Sequence, residues 1–271
     1  MTDRYAVIGN PIAQSKSPLL HMAFARQFGH DIRYDPLLAT HETFRDTVTR
    51  FMDEGGLGMN VTAPFKLDAL RMADRLSPRA HDAQAVNTLK FEQDGIYGDN
   101  TDGIGLVTDI RERLGIELAG KRVLIVGAGG AARGIFLPLI ESRPSYLLLV
   151  NRTADKAHAI LGDRAQAGVL EAGPIAQAEG GAFDVVIHAT FAGLTGGEVL
   201  MPEGIFAPGA LAYDLSYDDQ DTPFITDARR AGASQLSDGL GMLVAQGAES
   251  YQIWRGVRPE MLSVLNMLRP Q

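Results

Sequence analysis

The sequence predicts an α/β protein of two domains, on three observations. The stretch Lys121-Arg122-Val123-Leu124-Ile125-Val126 reads as a buried strand that runs into Gly127-Ala128-Gly129-Gly130 and then into an apolar helix pattern from Ala131. Strand, glycine turn and helix in that order turn a loose glycine motif into a dinucleotide fingerprint. Strand and helix patterns also alternate on both sides of residue 103, as crossover-connected sheets require. Residues 241–271, finally, read as helices without a sheet of their own, which predicts that they return to the first domain. The expected division is therefore residues 1–103 plus 241–271 for an N-terminal α/β domain, and residues 104–240 for a Rossmann-type domain.

Composition narrows the function classes. The chain has 271 residues, 45% of them apolar, a normal share for a globular protein. It has no cysteine, which removes disulfides, thiol nucleophiles and Cys-type metal sites. Its six histidines, His21, His30, His41, His81, His158 and His188, show no metal-ligand spacing, so no metal is expected. A net charge of −8 argues against a nucleic-acid partner and requires that any anionic ligand be held locally. No apolar run reaches membrane-spanning length and no leader pattern opens the chain, so a cytoplasmic protein without a membrane partner is expected. A monomer or homodimer fits these properties.

In chain order, Tyr5-Ala6-Val7-Ile8-Gly9 is a short strand. A loop carrying Ser15, Lys16, Ser17 and Pro18 follows, and Ser17-Pro18 predicts an N-cap and first helical residue. That helix start offers Ser15 and Ser17 to a carboxylate without an arginine; simple capping by Ser17 is the competing reading. Tyr34 to Leu38 reads as a strand, residues 43–54 as an amphipathic helix, and Gly58 to Thr62 as a third strand ending in Ala63-Pro64-Phe65-Lys66. Asn60 and Thr62 lie at that strand's end. Lys66 falls in the first turn of a helix predicted over 65–76, where the macrodipole disfavours an ammonium, as suits a general base. Ala85 to Leu89 and Ile96 to Gly98 form a hairpin through Asp94-Gly95. Asn87 lies on it, and Asp102 precedes a helix predicted over 104–114, where a cap is the alternative role.

Beyond the glycine turn, Tyr146 to Val150 is the second strand of the dinucleotide segment, followed by Asn151-Arg152-Thr153 with Lys156 one turn on. NAD sites place an acidic residue about 20 residues past the fingerprint. Here Arg152 stands there, and a guanidinium suits a 2′-phosphate, so NADP(H) is expected rather than NAD. Asp184 to Thr190 and Leu211 to Tyr217 are further strands, whose C-terminal ends make Thr190, Leu215 and Tyr217 site candidates, and the loop 192–197 is expected to border the nicotinamide. Ser234 to Leu236 is a last short strand. A helix over 242–255 carries Gln246, an amide suited to reading a diol, and Pro259 opens a final helix.

These segments resemble the shikimate dehydrogenase family along the whole chain. The resemblance rests on Val7-Ile8-Gly9-Asn10-Pro11 with Ser15-Lys16-Ser17-Pro18; on Asn60-Val61-Thr62-Ala63-Pro64-Phe65-Lys66; on Ala85-Val86-Asn87-Thr88-Leu89 and Gly98-Asp99-Asn100-Thr101-Asp102-Gly103; on Gly127-Ala128-Gly129-Gly130-Ala131 and Asn151-Arg152-Thr153; and on Asp238-Gly239-Leu240-Gly241-Met242-Leu243-Val244-Ala245-Gln246. It implies NADPH-linked interconversion of 3-dehydroshikimate and shikimate in aromatic amino-acid synthesis. It further implies that Ser15, Ser17 and Tyr217 hold the substrate carboxylate, that Asn60, Thr62, Asn87, Asp102 and Gln246 hold its hydroxyls, and that Lys66 moves the proton with Asp102 beside it. The cofactor would meet Gly127, Ala128, Gly129, Gly130, Ala131, Asn151, Arg152, Thr153, Lys156, Thr190, Leu215 and Gly239. The chain departs from the family at His188-Ala189-Thr190-Phe191, where Asn-Ala-Thr-Ser is common. His188 is expected to be a packed or backbone-bonded histidine, since nothing acidic stands beside it in the sequence. Two alternatives are a quinate/shikimate dehydrogenase with broader substrate or cofactor use, and a non-catalytic NADPH-sensing regulator. Retention of Lys66 and Asp102 speaks against the regulator.

Overall fold

A computed structural model describes residues 2–190 and 201–269. It divides into two compact units, residues 1–106 with 243–271 and residues 107–242. Both division points fall inside helices, Asp102–Thr108 and Leu240–Arg255.

In the first unit, β1 (Asp3–Gly9) leads to α1 (Ser17–Phe28), β2 (Ile32–Leu38), α2 (Phe44–Asp53), β3 (Gly56–Val61), α3 (Lys66–Met72), β4 (Arg75–Leu76), α4 (Pro78–Ala83), β5 (Thr88–Glu92), β6 (Gly95–Asp99) and α5 (Asp102–Thr108). The sheet runs β2-β1-β3-β5-β6-β4. β1 pairs parallel with β2 and β3, whereas β3, β5 and β6 are antiparallel neighbours. Apolar residues at alternate strand positions, including Ala6, Ile8, Met59, Val61 and Leu89, pack with Phe44, Val48, Phe51 and Phe65 into one core. Register sets Asn60 opposite Thr88, and Thr88 opposite Asp99, so three strands present a polar row at one level.

The second unit continues from α5 through a π-helical turn, Asp109–Arg113. Next come β7 (Arg122–Val126), α6 (Gly130–Glu141), β8 (Tyr146–Asn151), α7 (Ala154–Leu161), β9 (Leu170–Pro174), β10 (Phe183–His188), β11 (Phe206–Asp214), α8 (Pro223–Arg230) and β12 (Gln235–Ser237). The order β12-β11-β10-β7-β8-β9 is parallel throughout, the doubly wound arrangement expected of the glycine-turn half. β7 and β8 bury continuous apolar runs because helices cover both faces of such a sheet. α9 (Leu240–Arg255) and α10 (Leu262–Leu268) close the described chain, and α10 packs on α1.

Several local expectations are corrected. Ser17 does not cap α1. Lys16 is the N-cap, without a side-chain cap bond, and Ser17 is the first helical residue. The helix at Lys66 ends at Met72, because the next residues pair as β4 alongside β6. Pro64 precedes that helix in a cis peptide bond rather than opening it. The strand expected from Ala85 begins three residues later, at Thr88, so Asn87 lies just before it rather than on it. The second unit's strands stop at His188 and Asp214, short of Thr190 and Tyr217, and the last helix starts at Leu262 rather than at Pro259. The loop 192–197 and Phe191 lie outside the described residues.

Candidate active site

In the first unit, α3 and α5 bring the two candidate proton-handling groups together. Lys66 Nζ lies 2.5 Å from Asp102 Oδ2. Lys66 is the first residue of α3, just past β3, and Asp102 is the first residue of α5, just past β6; β3 and β6 both flank β5. The lysine side chain is 25% exposed and the aspartate 9%, so the pair has one side open and its base enclosed. Asn87 Nδ2 donates to the other carboxylate oxygen, Oδ1, at 2.8 Å, and Asp102 N–H donates to Asn100 Oδ1. The carboxylate is therefore held in orientation before any ligand arrives.

Asn87 is fixed in turn. Its Oδ1 accepts from Thr101 N at 2.8 Å, from Thr101 Oγ1 and from Thr88 Oγ1. Gln246, on α9, places Oε1 within 3.3 Å of both Asn87 Nδ2 and Thr101 Oγ1 and donates its Nε2 to Leu243 O. Lys66, Asn87, Asp102 and Gln246 thus form one connected group. Thr88, Thr101 and Ser250 belong to it although the sequence reading did not single them out. Ser250 had a signal: it lies one turn after Gln246 on the same helix, and its hydroxyl donates to Gln246 O. Arg79 braces the group from outside, with a two-pronged bond to Asp99 at 2.7 and 2.9 Å and a third to Glu249.

Asn60 stands apart. Its Oδ1 accepts from Tyr34 OH and faces His21 Nε2, while Nδ2 lies within reach of Asn87 O, Thr88 Oγ1 and Ser250 Oγ. Two lone pairs and two N–H groups are thereby committed inside the protein. Thr62 is half-buried, and no hydrogen bond of its hydroxyl occurs among the described residues. Ser15 Oγ accepts from Ser17 N at 3.3 Å, and Ser17 is buried and bonded to Tyr34, whose hydroxyl burial pushes well above the usual tyrosine range.

His21 is fully buried. Its ring lies flat on Tyr34, with centroids 4.4 Å apart, and burial pulls its pKa down to about 3. Because Asn60 Oδ1 can only accept, Nε2 carries the hydrogen, and Nδ1 has no partner among the described residues.

In the second unit, Gly127 has φ +115°, and a Cβ there would come within 2.5 Å of Thr190 Cγ2 and 2.9 Å of Ala189 O. Gly127 follows β7 and Thr190 follows β10, neighbours at which the strand order reverses, the crevice where open α/β sheets bind ligands. Ala128, Gly129, Gly130 and Ala131 are partly or fully exposed at the start of the twelve-residue α6, whose first turn has no acidic residue. Its leading N–H groups have no intrahelical acceptors, so this end suits a pyrophosphate. Arg152, Thr153 and Lys156 are exposed after β8, with Asn151 donating to Thr153 O at 2.9 Å. Leu215 and Gly239 lie together: Gly239 N donates to Ser216 O, and a Cβ on Gly239 would strike Leu215 O. Tyr217 is half-buried near Asp238, and burial first, then that carboxylate, raises its hydroxyl above the ordinary value.

His188 corrects an expectation. It does have an acidic neighbour: Nδ1 lies 3.1 Å from Asp214 Oδ1, and Nε2 lies 2.7 Å from Thr190 Oγ1. The parallel register sets His188 opposite Asp214, so the ends of two adjacent strands supply what the sequence holds 26 residues apart. Among the described residues no cluster of metal ligands occurs, and no helix is long and apolar enough to cross a membrane.

The chain is similar to known proteins along its whole length. Residues 7–89 match the model of the shikimate dehydrogenase substrate binding domain, residues 109–195 that of shikimate / quinate 5-dehydrogenase, and residues 239–260 that of the shikimate 5'-dehydrogenase C-terminal domain. A shikimate dehydrogenase (NADP(+)) of Aromatoleum aromaticum is 54% identical over 99% of this chain and 98% of its own. Among solved structures, an Ael1 enzyme from Pseudomonas putida superposes with a TM-score of 0.93 at 45% identity, covering 100% of this chain and 99% of that one. Shikimate 5-dehydrogenase from Thermus thermophilus, solved with NADP(H) and shikimate, gives 0.86 at 29% identity over 98% of both chains.

Proposed function

The chain belongs to the shikimate dehydrogenase family, and from that premise we propose that it reduces 3-dehydroshikimate to shikimate, reversibly and with NADPH. The observation that carries this reading is the Lys66–Asp102 pair, at 2.5 Å and oriented by Asn87. NADP fits the second unit: the glycine turn leaves open backbone at the start of α6, and the exposed Arg152 suits a 2′-phosphate. When bound, NADPH supplies the hydride that converts the carbonyl carbon into an alcohol.

The chain's own residues handle everything else. An ammonium against the Asp102 carboxylate is the form that gives a proton, so Lys66 protonates the carbonyl oxygen as the alcohol forms. In the oxidation direction the amine takes that proton back from the hydroxyl. Asp102 accepts the charge of the ammonium and keeps Nζ from swinging. Asn87, its amide committed to Thr88, Thr101, Asp102 and Gln246, keeps the Asp102 carboxylate in place, while the Gln246 amide and the uncommitted hydroxyl of Thr62 meet the neighbouring hydroxyls. Ser15 and Ser17 hold the substrate carboxylate without a cation. Asn60, committed to five internal contacts, sets the polar row behind them.

Initial rates with shikimate and with quinate, each with NADP and with NAD, test the reading. Shikimate with NADP should give the highest kcat/KM. Lys66→Ala should lower kcat by about 10²–10⁴-fold while leaving NADPH affinity unchanged. NADPH binding without any shikimate oxidation by the unaltered protein would favour a regulator instead.

A further inference from the structure

We propose that His188 is a positioning residue that fixes the Thr190 hydroxyl as a hydrogen-bond acceptor beside the glycine turn, where it selects an N–H donor on the bound dinucleotide, the nicotinamide carboxamide. This rests on the reading that NADP binds the second unit. Asp214 is buried and accepts at three points: from Thr222 Oγ1 at 2.6 Å, from Ser216 N at 3.1 Å and from His188 Nδ1 at 3.1 Å. A carboxylate has no hydrogen to give, so the ring must carry its hydrogen on Nδ1. In the neutral ring Nε2 is then a bare acceptor, and the Thr190 hydroxyl, 2.7 Å away, donates to it.

The ring cannot turn away from this task. His188 is 3% exposed and lies flat on Phe224, with centroids 4.7 Å apart and planes 8° apart. Thr222 both caps α8 and holds Asp214, so the far end of the chain of bonds is anchored to a helix. Thr190 in turn is half-exposed and presses its methyl against Gly127 at the strand-order reversal. With its single hydrogen spent on His188, Thr190 has only lone pairs to offer. Lone pairs repel a phosphate oxygen and attract an amide N–H. A threonine free to rotate could donate to the first or accept from the second. The Asp214–His188 pair therefore chooses which part of the dinucleotide this hydroxyl reads.

Calorimetric dissociation constants with three probes test the inference: NADP, its 3-acetylpyridine analogue, in which a methyl replaces the carboxamide NH₂, and 2′-phospho-ADP-ribose, which has no pyridine. Thr190→Val and His188→Asn should each weaken NADP binding about five- to tenfold, the worth of one hydrogen bond. Both should leave the other two probes within about twofold of wild type on the same scale. Nitrogen NMR of the unliganded wild type should find His188 protonated on Nδ1 and bare on Nε2, a readout that needs neither a variant nor cofactor. Equal losses for NADP and the acetylpyridine analogue, or a hydrogen on Nε2, would overturn the proposal. If 2′-phospho-ADP-ribose fails to bind the wild type, the cofactor reading itself falls and this inference falls with it.

Discussion

At the scale of single residues, His21 sets the acid limit of the first unit. Buried against Tyr34 with Nδ1 unpaired, it resists protonation down to about pH 3, whereas the unfolded chain takes up that proton near 6.5. Below 6.5 the unfolded state therefore binds more protons than the native one, and stability falls as pH drops toward 3. The full loss is on the order of 5 kcal/mol. His21→Phe should keep the stacking, cost some stability at neutral pH by leaving Asn60 one partner short, and flatten the decline; urea midpoints between pH 7 and pH 4 measure it. Lys66 and Asp102 were legible in the sequence because each opens a helix that follows a strand, and Asn87 because it leads into a strand. The acid partner of His188 was not, because parallel pairing joins residues that no local spacing links.

At the scale of elements, the seat of α9 on the first sheet is tightly keyed. Trp254 Nε1 donates to Leu89 O at 2.9 Å, and a Cβ on Gly58 would come within 2.4 Å of that nitrogen. Gly58→Ala should thus force the indole from its acceptor and cost about 2 kcal/mol by overpacking. Thermal unfolding would show it, while Trp254→Phe in the same background should recover part of the loss by shortening the ring. The strand–glycine–helix order at Val123 to Ala132 was readable, because a central strand buried on both faces writes an unbroken apolar run. β4 and β9 were not anticipated. Both are edge strands, with one neighbour each and mixed burial, so they carry little of the pattern that betrays a buried strand. The short α4 is likewise marked only by Ser77 before Pro78, a cap that accepts from Ala80 N.

At the scale of the whole molecule, the first unit is assembled from two distant stretches of chain. Removing residues 243–271 takes away Gln246, Ser250 and Trp254 and should leave the first unit unfolded, while 2′-phospho-ADP-ribose still binds the second. Hydrogen exchange of the truncated chain, with protection confined to residues 107–242, is the measurement that checks it. The discontinuity also bears on synthesis. Domains commonly fold as they emerge, the leading one first. Here the half that leaves the ribosome earliest is finished latest: the Leu89 carbonyl and the backbone at Gly58 wait uncovered until Trp254 has been translated, so a nascent chain carries its second half behind an unfinished first.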